Sequence, residues 1–242
     1  MACYGTRVSD PTPHPSIERL NAVNRLTVVS RLLSSAVHDT RNALQIVSGH
    51  AEMFVHTAGD AAKAAERGRS ILAQCARATD RLQTLVALVQ DTGEAPAEKV
   101  DLRALAEEVL GLRKSSFGRA RITARIEPET GVMCVRGRRT DLLRLVANLT
   151  LNAERAVAGR AGAEIRVGVS ERDGQVVVRV ADTGPGIPED AVPQLFEPFG
   201  PGDGPGIGLA VSRWLAAQHG GTLTLAENSP AGAVFELSLP RA

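Results

Sequence analysis

The chain has few aromatic residues and almost no excess of charge. Phe, Trp and Tyr make up 3% of its 242 residues, so the core must be built mainly from Leu, Val, Ile and Ala. The formal net charge is +1 at pH 7. This argues against a general nucleic-acid-binding protein, because such proteins normally carry a clear basic excess. We therefore expect an ordinary globular protein without a nucleic-acid partner.

Metal-binding cysteine spacings and long apolar runs are also missing. Cys3, Cys75 and Cys134 are widely separated, which favours free thiols in a reducing compartment. No stretch approaches the roughly 18 uncharged apolar residues that a membrane helix needs. Residues 1–15 contain prolines and charges but no apolar segment typical of a secretory signal. The sequence thus predicts a cytoplasmic chain with no membrane-spanning segment and no membrane partner.

Residues 16–92 carry the periodicity of a long helical hairpin. One apolar row, with spacings of four and three, runs up to a polar turn at residues 56–60 and resumes after it. Its members are Leu33, Val37, Thr40, Leu44, Val47, Ala51 and Phe54, then Ala61, Ala65, Gly68, Leu72, Cys75, Thr79, Leu82, Val86 and Val89. Two long helices joined by so short a turn must be antiparallel.

A second apolar row on the second helix, formed by Ile71, Ala78 and Leu85, widens this surface. One hairpin cannot bury stripes of that width. We therefore predict a homodimer in which two hairpins form a four-helix bundle. The alternative is that the hairpin packs on the second domain of its own chain.

Residues 101–242 mix helix and strand patterns and predict an α+β sandwich. Residues 1–15 are expected to be a flexible tail, with an N-cap at Ser16, and residues 93–100 a linker. The predicted segments are a helix through 102–112 capped by Asp101, strands at 121–127 and 132–135, a helix at 138–157, strands at 164–170 and 175–181 joined by a turn at 173–174, a helix at 206–219, and strands at 222–226 and 233–239. The fold class is therefore α+β: a helical hairpin followed by a sandwich.

Two motifs lie on predicted helices. His38 sits beside the apolar row, Asp39 follows it and Asn42 lies one turn on. A carboxylate beside an imidazole can fix the tautomer or take the ring proton, which suits nucleophilic chemistry, although an inert surface histidine has the same pattern.

Asn148 and Asn152 share one helix face, where amide oxygens can hold a hydrated Mg²⁺ and touch phosphate; paired surface amides are the alternative.

Two further motifs are rich in glycine. Asp182 ends a predicted strand, and the turn 183–188 that follows could let the carboxylate accept from an exocyclic amine while the backbone approaches closely; a simple strand-to-helix loop is the alternative. Residues 204–210 open a helix, and glycine-rich backbone there can form an anion site from exposed N–H groups. The second motif is neither a dinucleotide-binding fingerprint nor a P-loop, because the βαβ context and the GK[ST] sequence are missing.

These four motifs, with Leu195-Phe196-Glu197-Pro198-Phe199 before the last, occur in an order that resembles the sensor histidine kinases of two-component systems. The resemblance runs from about residue 30 to residue 239. It implies a dimerisation and phosphotransfer hairpin over residues 16–92. It also implies a Bergerat-type ATP-binding domain, of the kind found in gyrase and MutL ATPases, over residues 101–242.

The resemblance implies specific roles. His38 would accept the phosphoryl group, Asp39 would assist proton removal, and Asn42 would position the γ-phosphate or, in dephosphorylation, a water. Asn152 would bind Mg²⁺, with Asn148 supporting it. The residues expected to hold ATP are Asn148, Asn152, Arg155, Asp182, Gly184, Gly186, Gly204, Gly206, Gly208 and Leu209.

The expected partners are an aspartate on the receiver domain of a separate response regulator, a second copy of the chain, and a separate sensor or input protein. The segment 200–203 is short and has no cation for the γ-phosphate, which leaves open a phosphotransferase, phosphatase or scaffold with weak or no ATP-dependent kinase activity. A serine kinase or anti-sigma-type regulator with the same ATP-binding fold is a third possibility. The long hairpin with His38 argues against it.

Overall fold

The structure, a computed structural model, describes residues 15–56, 61–90, 95–128, 131–198 and 207–242. These ranges form five α-helices and seven β-strands. The helices are α1 (Pro15–His56), α2 (Ala61–Gln90), α3 (Leu102–Ala120), α4 (Arg139–Ala156) and α5 (Gly208–Gln218). The strands are β1 (Glu98–Asp101), β2 (Thr123–Ile126), β3 (Cys134–Gly137), β4 (Glu164–Arg172), β5 (Gln175–Asp182), β6 (Thr222–Ser229) and β7 (Gly232–Pro240).

Some predicted features lie outside the described residues. They include the tail up to residue 14, the turn at 57–60, linker residues 93–94, the segment 199–206 with Gly204 and Gly206, and the side chains of Ser16, Asp39, Ala61 and residues 79–90. The predictions made for them stay predictions.

The second domain is a five-stranded sheet covered on one face by α3, α4 and α5. The strand order is β2-β4-β5-β7-β6, with β2 parallel to β4 and every other pair antiparallel. β1 and β3 form a separate antiparallel pair. The predicted α+β fold class is confirmed.

Local sequence explains most of these elements. In β5, Val176, Val178 and Val180 are fully buried, as expected when alternate side chains of a strand face the core. The turn before β5 has positive φ at both Asp173 and Gly174, the geometry that joins two strands tightly. Asp101 caps α3 as predicted, because its Oδ1 accepts from the backbone N–H of Arg103 at 2.9 Å.

Two predicted boundaries were wrong. Residues 98–100 were assigned to a linker, but they form part of β1, which pairs with β3. The strand has only four residues and no apolar alternation, so its pairing with a distant segment had no local signal. Helix α1 begins at Pro15 rather than after a Ser16 cap, because proline is well tolerated in the first helical turn, where its missing N–H costs nothing.

Helix α1 has two different faces. One continues the predicted apolar row towards the N-terminus and stays exposed: Val23, Leu26, Leu33, Val37 and Leu44 are between 44% and 63% exposed. The opposite face packs on the second domain. The first half of α1 thus packs on the second domain of its own chain, which was the alternative to the dimer. The apolar row that was predicted to form the dimer remains exposed.

The packed face of α1 buries both apolar and polar groups against α3, α4 and α5. Val28 and Leu32 are at most 1% exposed, and each such burial contributes about 1.5–3 kcal/mol. Asn24, 2% exposed, exchanges amide hydrogen bonds with Asn148. Lower on the helix, the carbonyl of Arg31 accepts from Arg113 at 2.7 Å. These contacts tie the hairpin to the second domain at several points.

In the described ranges, none of the helices combines the length and the apolar character that crossing a membrane would require.

Candidate nucleotide and phosphoacceptor site

His38 lies in the middle of α1 and is half-buried. Its Nδ1 is 3.2 Å from the Nδ2 of Asn42, one turn further along. An amide in this position can donate to a bare Nδ1 or, turned over, accept from a protonated one. The second arrangement leaves a lone pair on Nε2, which is the form of imidazole that can attack an electrophile. The sequence-predicted pair of His38 and Asn42 is therefore in contact.

The two asparagines of α4 have different surroundings. Asn148 is 7% exposed and fully engaged, because its amide bonds to Asn24, to Ser212 Oγ at 3.1 Å and to the Gly208 carbonyl at 3.4 Å. Asn148 thus connects α4 to the first residue of α5 and to α1.

Asn152, one turn later, is half-buried. Its Oδ1 accepts from an Nη of Arg155 at 3.3 Å. A neutral amide oxygen is a hard ligand of the kind that Mg²⁺ takes, and the guanidinium beside it can bind a phosphate oxygen. The donor set at this turn of α4 therefore fits a magnesium–phosphate group.

Asp182 ends β5 inside the domain, 8% exposed. Its Oδ1 accepts from the backbone N–H of Gly184 at 2.8 Å. Burial raises the pKa of the Asp182 carboxyl above its usual range, and hydrogen bonds from the backbone N–H groups of Gly184 and Ala233 offset part of this effect. A buried carboxylate with lone pairs to spare is suited to accept from an amine of a ligand.

The glycines after Asp182 are required by close approaches. A Cβ on Gly184 would lie 2.6 Å from Asp182 Oδ1 and 2.9 Å from the Cβ of Ala156, at the end of α4. Gly186 has φ +73°, and a Cβ there would lie 2.1 Å from the Ser229 carbonyl oxygen. The loop is thus held against α4 on one side and β6 on the other.

Asn228 of β6 fixes this loop and was not predicted. Its Oδ1 accepts from Ile187 N–H and its Nδ2 donates to the Ile187 carbonyl, both at 2.8 Å. The contact joins residues 41 positions apart, so no local sequence pattern could indicate it. The same holds for Asn24, which is 124 positions from Asn148.

The motifs of the second domain therefore converge on α4. The Asp182 loop abuts Ala156 at the end of α4, and the start of α5, with Gly208 and the half-buried Leu209, abuts Asn148. Phe196, from the 195–199 motif, stacks edge-on against Phe235 with ring centroids 6.4 Å apart. His38 is separate from this group, because it lies fourteen positions along α1 from Asn24, about 21 Å of helix.

Asp182→Asn is expected to weaken ATP binding at least tenfold while leaving the melting temperature within about 2 °C, because one polar acceptor is lost and no packing changes. The raised pKa means that ionised Asp182 costs folding stability at pH 7, so removing the charge should not destabilise the domain. Calorimetric titration with ATP and a thermal melt measure the two effects.

The same carboxyl predicts a pH dependence. As the pH is lowered through the raised pKa of Asp182, the carboxylate becomes protonated and loses an acceptor. The ATP affinity of the wild type should therefore decrease with decreasing pH, over a range that lies above the ordinary carboxyl pKa of about 4. In Asp182→Asn this titration should disappear. An affinity that declines equally with pH in both proteins would show that another group is responsible.

Gly186→Ala is expected to destabilise the domain by about 2 kcal/mol or more, because alanine at positive φ is strained and its Cβ would overlap the Ser229 carbonyl. Gly111→Ala in α3 is the matched control, since no atom lies within 4 Å of its added Cβ. It should be neutral or stabilising by up to about 1 kcal/mol. Denaturant melts distinguish them, and equal stabilities would contradict the assigned loop geometry.

The comparisons with known proteins agree with this geometry. Residues 137–242 match the family model described as histidine kinase-, DNA gyrase B-, and HSP90-like ATPase. The catalytic domain of the histidine kinase ThkA aligns with 61% of this chain and 99% of its own length, at 28% identity and a TM-score of 0.56.

Two sensor proteins match nearly the whole chain. The C4-dicarboxylate transport sensor protein DctB of Rhizobium meliloti is 30% identical over 93% of this chain and 38% of its own length. The sensor histidine kinase ZraS of Escherichia coli K12 is 28% identical over 92% of this chain and 48% of its own. The chain therefore spans less than half the length of these relatives.

Proposed function

We propose, from the premise that residues 137–242 form an ATPase domain of the histidine kinase, gyrase B and HSP90 type, that the chain is a protein histidine kinase of a two-component system. In this proposal it transfers the γ-phosphoryl group of ATP to His38. One observation carries most weight: the helix that bears His38 packs directly on α4, the helix that bears Asn148 and Asn152. A nucleophile and an ATP-binding face are thus parts of one assembly.

The ATP would be held as follows. Asp182 accepts from the adenine amine, and Gly184 and Gly186 allow the base to approach the backbone. Asn152 and Arg155 face the phosphates, with Asn148 fixing the position of α4 relative to α5. Mg²⁺, when bound through Asn152, would neutralise charge on the phosphate oxygens. Gly204, Gly206, Gly208 and Leu209 would border the triphosphate.

In the transfer step, Nε2 of neutral His38 attacks the γ-phosphorus. An N–P bond forms, the bond from phosphorus to the β,γ-bridging oxygen breaks, and ADP leaves with the electron pair. The ring must then lose its Nδ1 proton, for which Asp39, the next residue, is the proposed acceptor. Asn42, whose amide lies within hydrogen-bonding distance of Nδ1, would hold the tautomer that leaves Nε2 free when its Oδ1 is turned to accept from Nδ1–H.

The proposed consumer of the phosphohistidine is an aspartate on a response regulator receiver domain, and the proposed oligomer is a homodimer through the hairpin. The exposed row Val23, Leu26, Leu33, Val37 and Leu44 supports the dimer, because its heptad spacing complements a second copy of itself. Input would come from a separate sensor or another partner. A kinase that uses ATP and a receiver domain would act in the cytoplasm.

Nucleotide binding tests the proposal against a scaffold that lost ATP chemistry. We expect Mg²⁺-dependent ATP binding at one site per chain, measured by calorimetry. No binding to the folded protein would favour the phosphotransferase or phosphatase alternative. In that case His38 should still accept a phosphoryl group from a phosphorylated receiver domain.

A further inference from the structure

A cavity of about 270 Å³ lies between α1, α3 and α4, next to the proposed phosphate site. It is lined by Arg31, Arg113, Leu151, Glu154, Arg155 and Ala158. Arg113 and Glu154 form a two-pronged ion pair along its wall, with N···O distances of 2.7 and 3.0 Å. Because Arg155 also contacts Asn152, the cavity opens beside the group that would hold the γ-phosphate.

The contacts between α1 and α4 follow a constant register. Asn21 accepts from Arg144, and Asn24 pairs with Asn148, so the partners are 123 and 124 positions apart. Arg31 and Glu154, both on the cavity wall, have the same offset of 123. The two helices therefore run parallel. If α4 slid along α1 by a whole number of turns, each residue of α4 would face a later residue of α1 on the same helix face.

His38 stands in a particular relation to that register. Asn24, Arg31 and His38 are spaced by seven residues, so they lie on one face of α1 with a drift of only about 20° per heptad. Moving the ATP-binding domain by one heptad, about 10.5 Å, would bring His38 to the place that Arg31 occupies in this structure. The connection between α2 and β1 has seven residues, 91–97, and its fully extended length is about 23 Å, which exceeds the 10.5 Å of one heptad.

We propose that this cavity is the seat of the His38 imidazole during phosphoryl transfer, and that the arrangement described here is the resting register, with Arg31 in the seat. The inference rests on the proposed kinase function and specifies how its two halves meet. In the seat, His38 would face Arg155 and lie beside Asn152, while Arg31 would move opposite Asn148.

The sequence of α1 explains why the resting register would be favoured. In that register Val28, Val29 and Leu32 are buried against the domain. One heptad later the corresponding residues are Ser35, Ala36 and Asp39, which offer little apolar surface. The transfer register would therefore be a minor state, reached at the cost of that burial.

Cross-linking tests the two registers directly. In the full chain, with its three native cysteines replaced by alanine, the pair Arg31→Cys and Ala158→Cys reports the resting register, and His38→Cys with Ala158→Cys reports the transfer register. A short bifunctional maleimide should link the first pair without nucleotide. The second pair should link within one chain at least fivefold more with Mg²⁺ and a non-hydrolysable ATP analogue. The control pair is Leu33→Cys with Ala158→Cys. Leu33 lies on the opposite face of α1, so this pair should not link.

The first cross-link should also lower autophosphorylation of the intact His38 at least tenfold relative to the uncross-linked double variant, with nucleotide affinity unchanged. Linkage of the second pair only between subunits, or full kinase activity of the linked first pair, would overturn the proposal. The linkage pattern is read without phosphorylation, so it remains decisive if the kinase proposal itself fails.

A gentler variant gives an independent readout. Asn24→Ala removes the amide pair with Asn148 from the resting register only, so the initial autophosphorylation rate should rise several-fold. Ser48→Ala, at an exposed position of α1 where the hydroxyl contacts Glu52 of the same helix, should leave the rate unchanged. An unchanged or lower rate in Asn24→Ala, in a protein that binds ATP as tightly as the wild type, would contradict a resting role for this contact.

Discussion

His38→Ala is expected to abolish phosphorylation of the chain by ATP, to below 1% of the wild-type rate, while ATP affinity changes less than twofold. The reason is that the imidazole supplies the only bond-forming atom of the proposed step, whereas its position on α1 is about 21 Å of helix from Asn24, where α1 meets Asn148. The measurement is incorporation of label from γ-labelled ATP, beside a calorimetric titration of the same protein.

The matched control is His50→Ala, a histidine on the same helix. His50 faces α2, where a ring nitrogen is 3.1 Å from Ser70 Oγ, so it has no part in the proposed site. This variant should retain at least half of the wild-type label. If His38→Ala became labelled as fast as the wild type, His38 would not be the phosphoacceptor.

Asn152→Ala is expected to lower autophosphorylation by about 10²–10³-fold, the usual effect of removing one group that stabilises charge in a transition state. The variant loses the amide oxygen proposed to bind Mg²⁺ and the contact to Arg155. Because Asn152 is only half-buried, the melting temperature should change little. Raising the Mg²⁺ concentration should restore part of the activity, which a purely structural defect would not allow.

The neighbouring Asn148→Ala provides the contrast. It removes an almost fully buried amide and leaves Ser212 and Asn24 without their partner, so it should destabilise the protein by about 1–3 kcal/mol. A Mg²⁺ titration of both variants separates the roles. Wild-type rate and Mg²⁺ dependence in Asn152→Ala would remove this residue from the site.

Periodicity predicted the parts of the fold whose stability is local. The strand pattern of β5 and the inward face of α4, with Leu142, Leu145 and Leu149 fully buried, follow directly from apolar spacing. Strand β1 did not follow, because its four residues gain their hydrogen bonds only from β3, more than thirty positions away.

The residues of the candidate site likewise divide into those with a local sequence pattern and those without one. The motifs around His38, Asn152 and Asp182 were visible because the residues proposed to act in each motif are close together in sequence. Asn24 and Asn228 were invisible, since an asparagine on a helix or strand has no local mark of a partner 124 or 41 residues away. The docking of α1 on the ATP-binding domain therefore emerged only from the folded chain.

The most direct test of the account is to incubate the full wild-type chain with Mg²⁺ and γ-labelled ATP and to determine the chemistry and position of any label. The account predicts label that is lost in acid, survives alkali and maps to His38, because an N–P bond has that stability. A folded, dimeric protein that binds ATP and acquires no such label, or label on serine instead, would contradict it.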